Sequence, residues 1–407
     1  MRIRCLHVPV SGGLSLFVLT VLILLSSPFF SGEALGDEFK LTPSLGLKEE
    51  YNDNLFFTGS NKTRDFTATI SPGLDLINKT ETLDLNLVAR LDILRYVSNK
   101  ALNDVDNYSR GRLRYSLNPR LNVSTELGFA KDSRPDQDID VSGLVFTKAV
   151  TRYKYNYAAG AEYIVSEKTK ANLSYAYENS DFKDPGFTDI KSHDVTFGVL
   201  HDLSRHFRAT TGRMNLGYGR YQFQDSTVNY YSATLGMSRA FSEKWNILID
   251  AGASYTLSKL EVGTGTVREH RKEKNWGWVS VGTLSYQGEK TNGGVTFLHR
   301  VAPAAGTTGA SERTSLTMNL RRRFTYEFSG RFSAGYYLNK SQAGEFSTAP
   351  IDVATFRVNP ALRYEFTRDI ALEASYSYTL VKYKQQGTEA RRSLFMINLI
   401  IQHPLFE

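Results

Sequence analysis

From about residue 38 onward, apolar and polar side chains alternate in runs of about eleven residues, and that pattern admits few folds. Leu83, Leu85, Leu87, Ala89, Leu91 and Ile93 fall on one side of such a run. Asp84, Asn86, Val88, Arg90 and Asp92 fall on the other. Successive side chains of a strand point to opposite faces, so one face is apolar and the other mostly wet. The same alternation recurs in Leu121–Phe129, Tyr153–Tyr163, Trp245–Leu257, Phe328–Leu338, Phe356–Phe366 and Ile370–Leu380. Tyr (23) and Phe (24) are abundant, which suits strands. A strand tilted across a bilayer needs about this length.

The connections are one-sided. Short turns near Asn78-Lys79, Asn118-Pro119-Arg120, Ser166-Glu167-Lys168, Ser204-Arg205, Ser242-Glu243-Lys244, Gly288-Glu289-Lys290, Thr325-Tyr326 and Thr367-Arg368-Asp369 recur about every 41 residues. Long polar connections lie between them, at about 51–64, 97–107, 131–147, 180–191, 222–229, 258–274, 302–313, 339–354 and 383–391. Short periplasmic turns and long outer loops are the asymmetry of outer-membrane barrels. Propeller blades repeat at a similar period, but a blade holds four short strands where each repeat here holds two long ones. The expectation is an all-β fold: a transmembrane, antiparallel, up-and-down β-barrel of about eighteen strands. Near 207–223, and again from Trp276 and Trp278 to Val279 and Val281, the apolar set changes phase by one residue. That change predicts a β-bulge or a strand end. The last strand, Leu394 to Ile401, is apolar on both faces and leaves its lumen face open.

The N-terminus reads as a secretory leader. Arg2 and Arg4 precede an apolar run from Leu14 to Phe30, and Ala34-Leu35-Gly36 supplies small residues for cleavage. The division expected is 1–36 signal peptide and 37–407 barrel. The only cysteine, Cys5, lies in the leader, which excludes a disulfide framework and thiolate chemistry in the mature chain. No apolar stretch of helix length follows residue 36, and only helices and closed barrels satisfy their backbone in lipid. The net charge of +7 comes with no basic run or recognition motif, so nucleic acid is not expected as a partner. Outer-membrane lipid and lipopolysaccharide are.

Catalytic signals are weak. The sequence holds no HExxH and no nucleophile elbow. His201-Asp202-Leu203-Ser204 falls at a short turn, and His193 and His201 flank one outward face, as interfacial residues do. Asn52-Asp53-Asn54 and Asp181 with Asp184 are oxygen ligands of a kind calcium takes, but on outer loops such groups are usually just solvated. No enzyme activity, metal or cofactor is expected. The informative surface is the lumen wall. If the apolar set faces lipid, the wall carries Arg110, Arg112 and Arg114, then Arg152 and Lys154, then Arg357 and Arg363. Acids share it: Asp75, Asp84, Asp92, Glu126, Glu162, Asp250, Glu365 and Glu373. A hydrated wall of mixed charge is the plain reading, because charges collect away from lipid without any ligand. A basic ladder that guides an anionic solute or polymer is the sharper one. Barrels of 16–18 strands can hold an aqueous channel, although a loop folded inward could close it.

Tyr51-Asn52-Asp53-Asn54-Leu55-Phe56, after a strand holding Pro43, and then Ser71-Pro72-Gly73-Leu74, give the chain a resemblance to the beta-barrel porin-2 family. Members of that family are often encoded with exopolysaccharide systems. The resemblance implies an outer-membrane channel for exopolysaccharide export, working with secreted polysaccharide and a periplasmic polysaccharide-export protein. It carries no catalytic residues. The alternatives from the residues alone are a diffusion porin for small solutes and a structural or adhesive barrel acting through its outer loops. One departure from outer-membrane barrels is the end, where Phe406 is penultimate rather than last.

Overall fold

The computed structural model describes residues 38–262 and 269–405. The leader, with Cys5, and the C-terminal Phe406 lie outside the described residues. In chain order the strands are β1 (Glu38–Asn52), β2 (Asp65–Lys79), β3 (Leu83–Tyr96), β4 (Asp104–Asn118), β5 (Leu121–Asp132) and β6 (Arg152–Ser166). Next come β7 (Thr169–Phe182), β8 (Ile190–Asp202), β9 (Thr210–Gln222), β10 (Ser226–Ala240), β11 (Trp245–Val262) and β12 (Glu269–Gln287). The last six are β13 (Thr291–Pro303), β14 (Ala310–Arg323), β15 (Phe328–Ser341), β16 (Ile351–Glu365), β17 (Ile370–Tyr383) and β18 (Thr388–Gln402). Each pairs antiparallel with its neighbours in sequence, and β1 also pairs with β18 from Ser44–Gln402 to Asn52–Leu394. The eighteen-stranded sheet is therefore closed, and closure removes the exposed edges that lipid could not satisfy. Among the described residues no helix is long and apolar enough to cross a membrane.

The large apolar side chains lie outside. Leu235 is 69% exposed and Trp276 is 78% exposed, the inverse of a soluble fold. Two aromatic rows bound this apolar band. The outer row runs through Tyr157–Tyr177, Tyr177–His193, Tyr218–Tyr231, Tyr231–Tyr255 and Tyr255–Trp276, with ring centroids 4.9–6.3 Å apart. The inner row includes Trp245–Tyr286 and Tyr364–Phe366. From Trp245 to Tyr255 the strand climbs about 34 Å, or about 25 Å after tilting, which is the height of the apolar band of such barrels.

Two local expectations are corrected: the phase change at Tyr221 and Phe223 is a strand end, since β9 stops at Gln222, whereas the one at Val279 is neither strand end nor bulge, and the connection at 258–274 is shorter than expected. The phase changes are not bulges, because the registers of β8, β9 and β10 run unbroken through Tyr221 and those of β11 and β12 through Val279. Tyr221, one residue from the outer end of β9, and Val279, in the middle of β12, both point inward and are buried. The register shifts that do occur, at Ser116/Asn118 and Ile164/Ser166, sit beside short turns. The connection expected at 258–274 is mostly strand, since β11 runs to Val262 and β12 starts at Glu269. There the strands have left the apolar band, both faces are wet, and alternation no longer marks them. On β18, Ala390, Arg392 and Leu394 are buried inward while Phe395 and Ile397 are exposed outward, which fixes its lumen face.

Candidate functional site

The connection from β5 to β6, residues 133–151, folds into the lumen. It holds one helical turn, α1 (Ile139–Ser142), closed by Gly143 with φ at +72°. This loop leaves the ring at β5 and meets it again at β15 and β16, ten strands round an eighteen-strand ring. Tyr337 Oη donates to Asp140 O at 2.9 Å, and Asn339 Nδ2 donates to Ser142 O at 2.8 Å. Thr355 Oγ1 donates to Gly143 O. On β15 and β16 the lipid-facing set is Tyr336, Leu338 and Phe356, so Tyr337, Asn339 and Thr355 face inward and the loop touches them from inside. These partners lie two to four residues below the outer strand ends, which places the contact in the outer half of the lumen.

Charge holds the loop in place. Arg134 reaches Glu50 on β1 at 2.9 Å and Asp136 at 3.3 Å. Asp136 also meets Arg392 of β18 at 2.8 Å. Arg152 clamps Asp132 at 2.8 Å and Asp138 at 2.6 Å, joining the loop to its own root. Arg357 meets Asp140 at 2.9 Å. Burial alone would push the Asp136 carboxyl up, but Arg134 and Arg392 hold it well below the usual carboxylate range. Burial likewise opposes the Arg134 charge, and Glu50 and Asp136 keep it fully cationic. Apolar contacts complete the seat. Ile139 is buried with Phe57, Val381 and Ala390, Leu144 with Ala304 and Ile351, and Phe146 with Val150 and Phe182. Asp140 and Val141, at the tip, are exposed and border open lumen.

Below this loop the wall carries mixed charge. Arg110 and Arg112 share Glu126, at 3.4 and 2.8 Å. Arg114 stands opposite Asp84. Lys154 meets Glu178 at 2.9 Å, Arg363 meets Glu365 at 3.1 Å, and Arg90 meets Asp92 at 3.0 Å. Arg152 and Arg357 are loop anchors rather than open wall. Sequence reasoning did not pick out Glu50, Arg134, Asp136, Asp138 or Arg392, although the spacing of Asp136, Asp138 and Asp140 was a visible signal. It also passed over Arg321 and Arg331, which with Arg363 and Glu373 line a recess of about 110 Å³ near the short-turn end.

The oxygen-rich segments are structural. Asn54 Nδ2 donates to Thr58 O at 2.8 Å and to Arg391 O at 3.0 Å, while Asp53 Oδ1 accepts from Ser393 N at 2.7 Å. Asp181 holds Lys183 and Asp184 holds Lys148, both at 2.7 Å. Asp202 Oδ1 accepts from Ser204 N within its turn.

Residues 20–200 match a family model described as outer membrane protein beta-barrel domain. No curated protein matches the chain. Among solved structures, OccAB4 of Acinetobacter baumannii shares 11% identity with a TM-score of 0.44, covering 90% of this chain and 99% of that one. OpdO of Pseudomonas aeruginosa shares 10% with a TM-score of 0.45, covering 92% and 100%. The alcaligin outer membrane receptor FauA of Bordetella pertussis shares 10% with a TM-score of 0.42, covering 90% and 76%. At these values the likenesses decide nothing about substrate. The closed sheet and its outward apolar band make the chain a membrane β-barrel, and the match at 20–200 places it in the bacterial outer membrane, in contact with lipid and lipopolysaccharide.

Proposed function

We propose that the chain is a constricted diffusion channel for small water-soluble solutes, with residues 1–36 as its cleaved leader and 37–407 as the mature barrel. The observation that carries this reading is the loop at 133–151, fixed across the lumen by ion pairs to β1, β16 and β18. A loop so fixed narrows an eighteen-stranded barrel to the scale of small solutes. The residues proposed to border the path are Arg110, Arg112, Arg114, Lys154, Arg363, Asp84, Asp92 and Glu126, with Arg152 and Arg357 at the loop seat. Their mixed charge keeps the wall hydrated.

The family resemblance supports the other reading, an exopolysaccharide conduit acting with a periplasmic export protein. A polymer conduit would require this loop to leave its seat. The two readings separate in cells. On deletion of the gene, the proposal expects slower uptake of small hydrophilic solutes and unchanged polysaccharide secretion. Lost secretion with normal uptake would overturn it in favour of the conduit.

A further inference from the structure

Beyond the outer aromatic row, β8–β12 carry a field of cations on their outward face. The registers place Val195, Tyr218, Tyr231, Tyr255 and Trp276 in one row across these strands. The next row outward is His193, Arg220, Asn229, Leu257 and Lys274. The row after that is Lys191, Gln222, Thr227, Lys259 and Lys272. Neither of these two rows holds a carboxylate. Lys191, Arg220, Lys259, Lys272 and Lys274 are all exposed, and none forms an ion pair among the described residues. Acids return one row further out, where Asp225 lies beside Glu261 and Glu261 stands opposite His270, 3.9 Å away.

Lys259 and Lys272 face each other directly across β11 and β12. Like charges so placed are destabilising unless something anionic lies between them. Four residues beyond the aromatic row on the far side of the ring, the outward pairs are of opposite sign, with Lys340 opposite Asp352 and Lys382 opposite Glu389. The field also has the right depth. Lys274 and Lys272 lie two and four residues beyond Trp276, about 7 and 13 Å along the strand, which is headgroup rather than acyl territory. Arg220 and Lys274 are three strands apart, about 14 Å.

We propose that this patch is a binding site for the phosphorylated saccharide head of the outer-leaflet glycolipid. Its phosphates sit among Lys259, Lys272, Lys274 and Arg220, and its acyl chains lie against Tyr255 and Trp276 below. Lysine ammonium groups and an arginine fork are the donors phosphate takes. The inference rests on the placement of the barrel in the membrane with its long loops outward, and is independent of which solute the lumen passes.

The test uses the full-length barrel refolded in a neutral detergent, titrated with lipid A and with the same lipid lacking both phosphates. Native mass spectrometry and tryptophan fluorescence read the binding. The variant is R220Q/K259Q/K272Q/K274Q. These side chains are solvated and outside the barrel's hydrogen-bond ladder, and unchanged heat modifiability confirms its fold. The expected result is a loss of lipid A affinity of about tenfold or more in the variant, with the dephosphorylated lipid binding both proteins equally and weakly. Equal lipid A affinity in wild type and variant overturns the proposal. So does wild-type binding that ignores the phosphates.

Discussion

Replacing Asp136 with Ala should open the constriction without unfolding the barrel. Asp136 bridges Arg134 of its own loop to Arg392 of β18. Arg134 keeps Glu50 at 2.9 Å after the change, so its charge stays compensated. Arg392 does not. It is 1% exposed, and Asp136 is its only carboxylate within ion-pair distance among the described residues. Removing one partner of a buried pair costs about 3–5 kcal/mol, because the other charge is left uncompensated. The retained Glu50 contact places this case toward the lower end. Even about 3 kcal/mol shifts the docked-to-undocked ratio of the loop by roughly a hundredfold. The cost falls on the loop, since the strand ladder does not pass through Asp136.

Single-channel conductance in planar bilayers reads the outcome. The variant should show a larger open level, or flicker between the wild-type level and a larger one, with unchanged heat modifiability. A D136A/R392M double variant should sit closer to wild type than D136A alone, because neutralising both members of a buried pair costs far less than removing one. The pH dependence has a definite sign. The carboxyl of Asp136 is depressed in the folded state, so its contribution is present above the unfolded value near 3.8 and is lost only as pH falls through the lower folded value. Release of the loop through this residue is therefore not expected between pH 5 and 8. Wild-type conductance in D136A, or a wild-type channel that opens on acidification from pH 7 to 5 while D136N shows no such pH response, would refute the reasoning.

Three other outcomes follow. Gly143→Ala should also loosen the loop, because φ at +72° disfavours any side chain by about 1–2 kcal/mol and the added Cβ would run into the ring base of Tyr337; a conductance like wild type would count against the seat described. The triple change R110Q/R112Q/R114Q should lower anion preference in reversal-potential measurements only modestly, since Glu126 and Asp84 already offset part of that charge, and unchanged selectivity would remove these arginines from the path. All three tryptophans, Trp245, Trp276 and Trp278, are exposed on the outward face, so brominated lipid should quench the intrinsic fluorescence strongly and lumenal iodide weakly; the reverse would mean the faces are misassigned.

The fold was legible because a bilayer imposes the same demand on every strand. Leu83 to Ile93 alternates because one face meets lipid and the other meets water, and neither face depends on a distant partner. The interior loop obeys no such rule. Residues 133–151 look like any polar outer connection, and their position depends on Arg392 and Arg357, over 200 residues away. Tyr221 shows the same limit in miniature. Its change of phase was visible, but the cause, burial in a cluster with Val228, Val301 and Phe346 and a 3.0 Å bond to Asp194, is tertiary. Periodicity could offer Arg152 as a wall residue, but it could not say that Asp132 and Asp138 would enclose it.

The closure seam and the constriction share their anchors, which gives the Tyr51–Phe56 segment a physical role. Asn54 and Asp53 bond to Arg391 O and Ser393 N, tying the first outer loop to β18 where the barrel closes. That loop then turns through Phe57, at φ +51°, and lays its ring 4.3 Å from the Arg392 guanidinium. Arg392 in turn holds Asp136. Glu50, on the other strand of the seam, holds Arg134. The first and last strands therefore do more than seal the ring. Their outer ends present one acid and one base, in fixed positions, to a loop that arrives from across the lumen. A change in the Asn52–Asn54 segment would act on the channel through Arg392 without touching the solute path, and its effect would track that of D136A rather than that of the wall arginines.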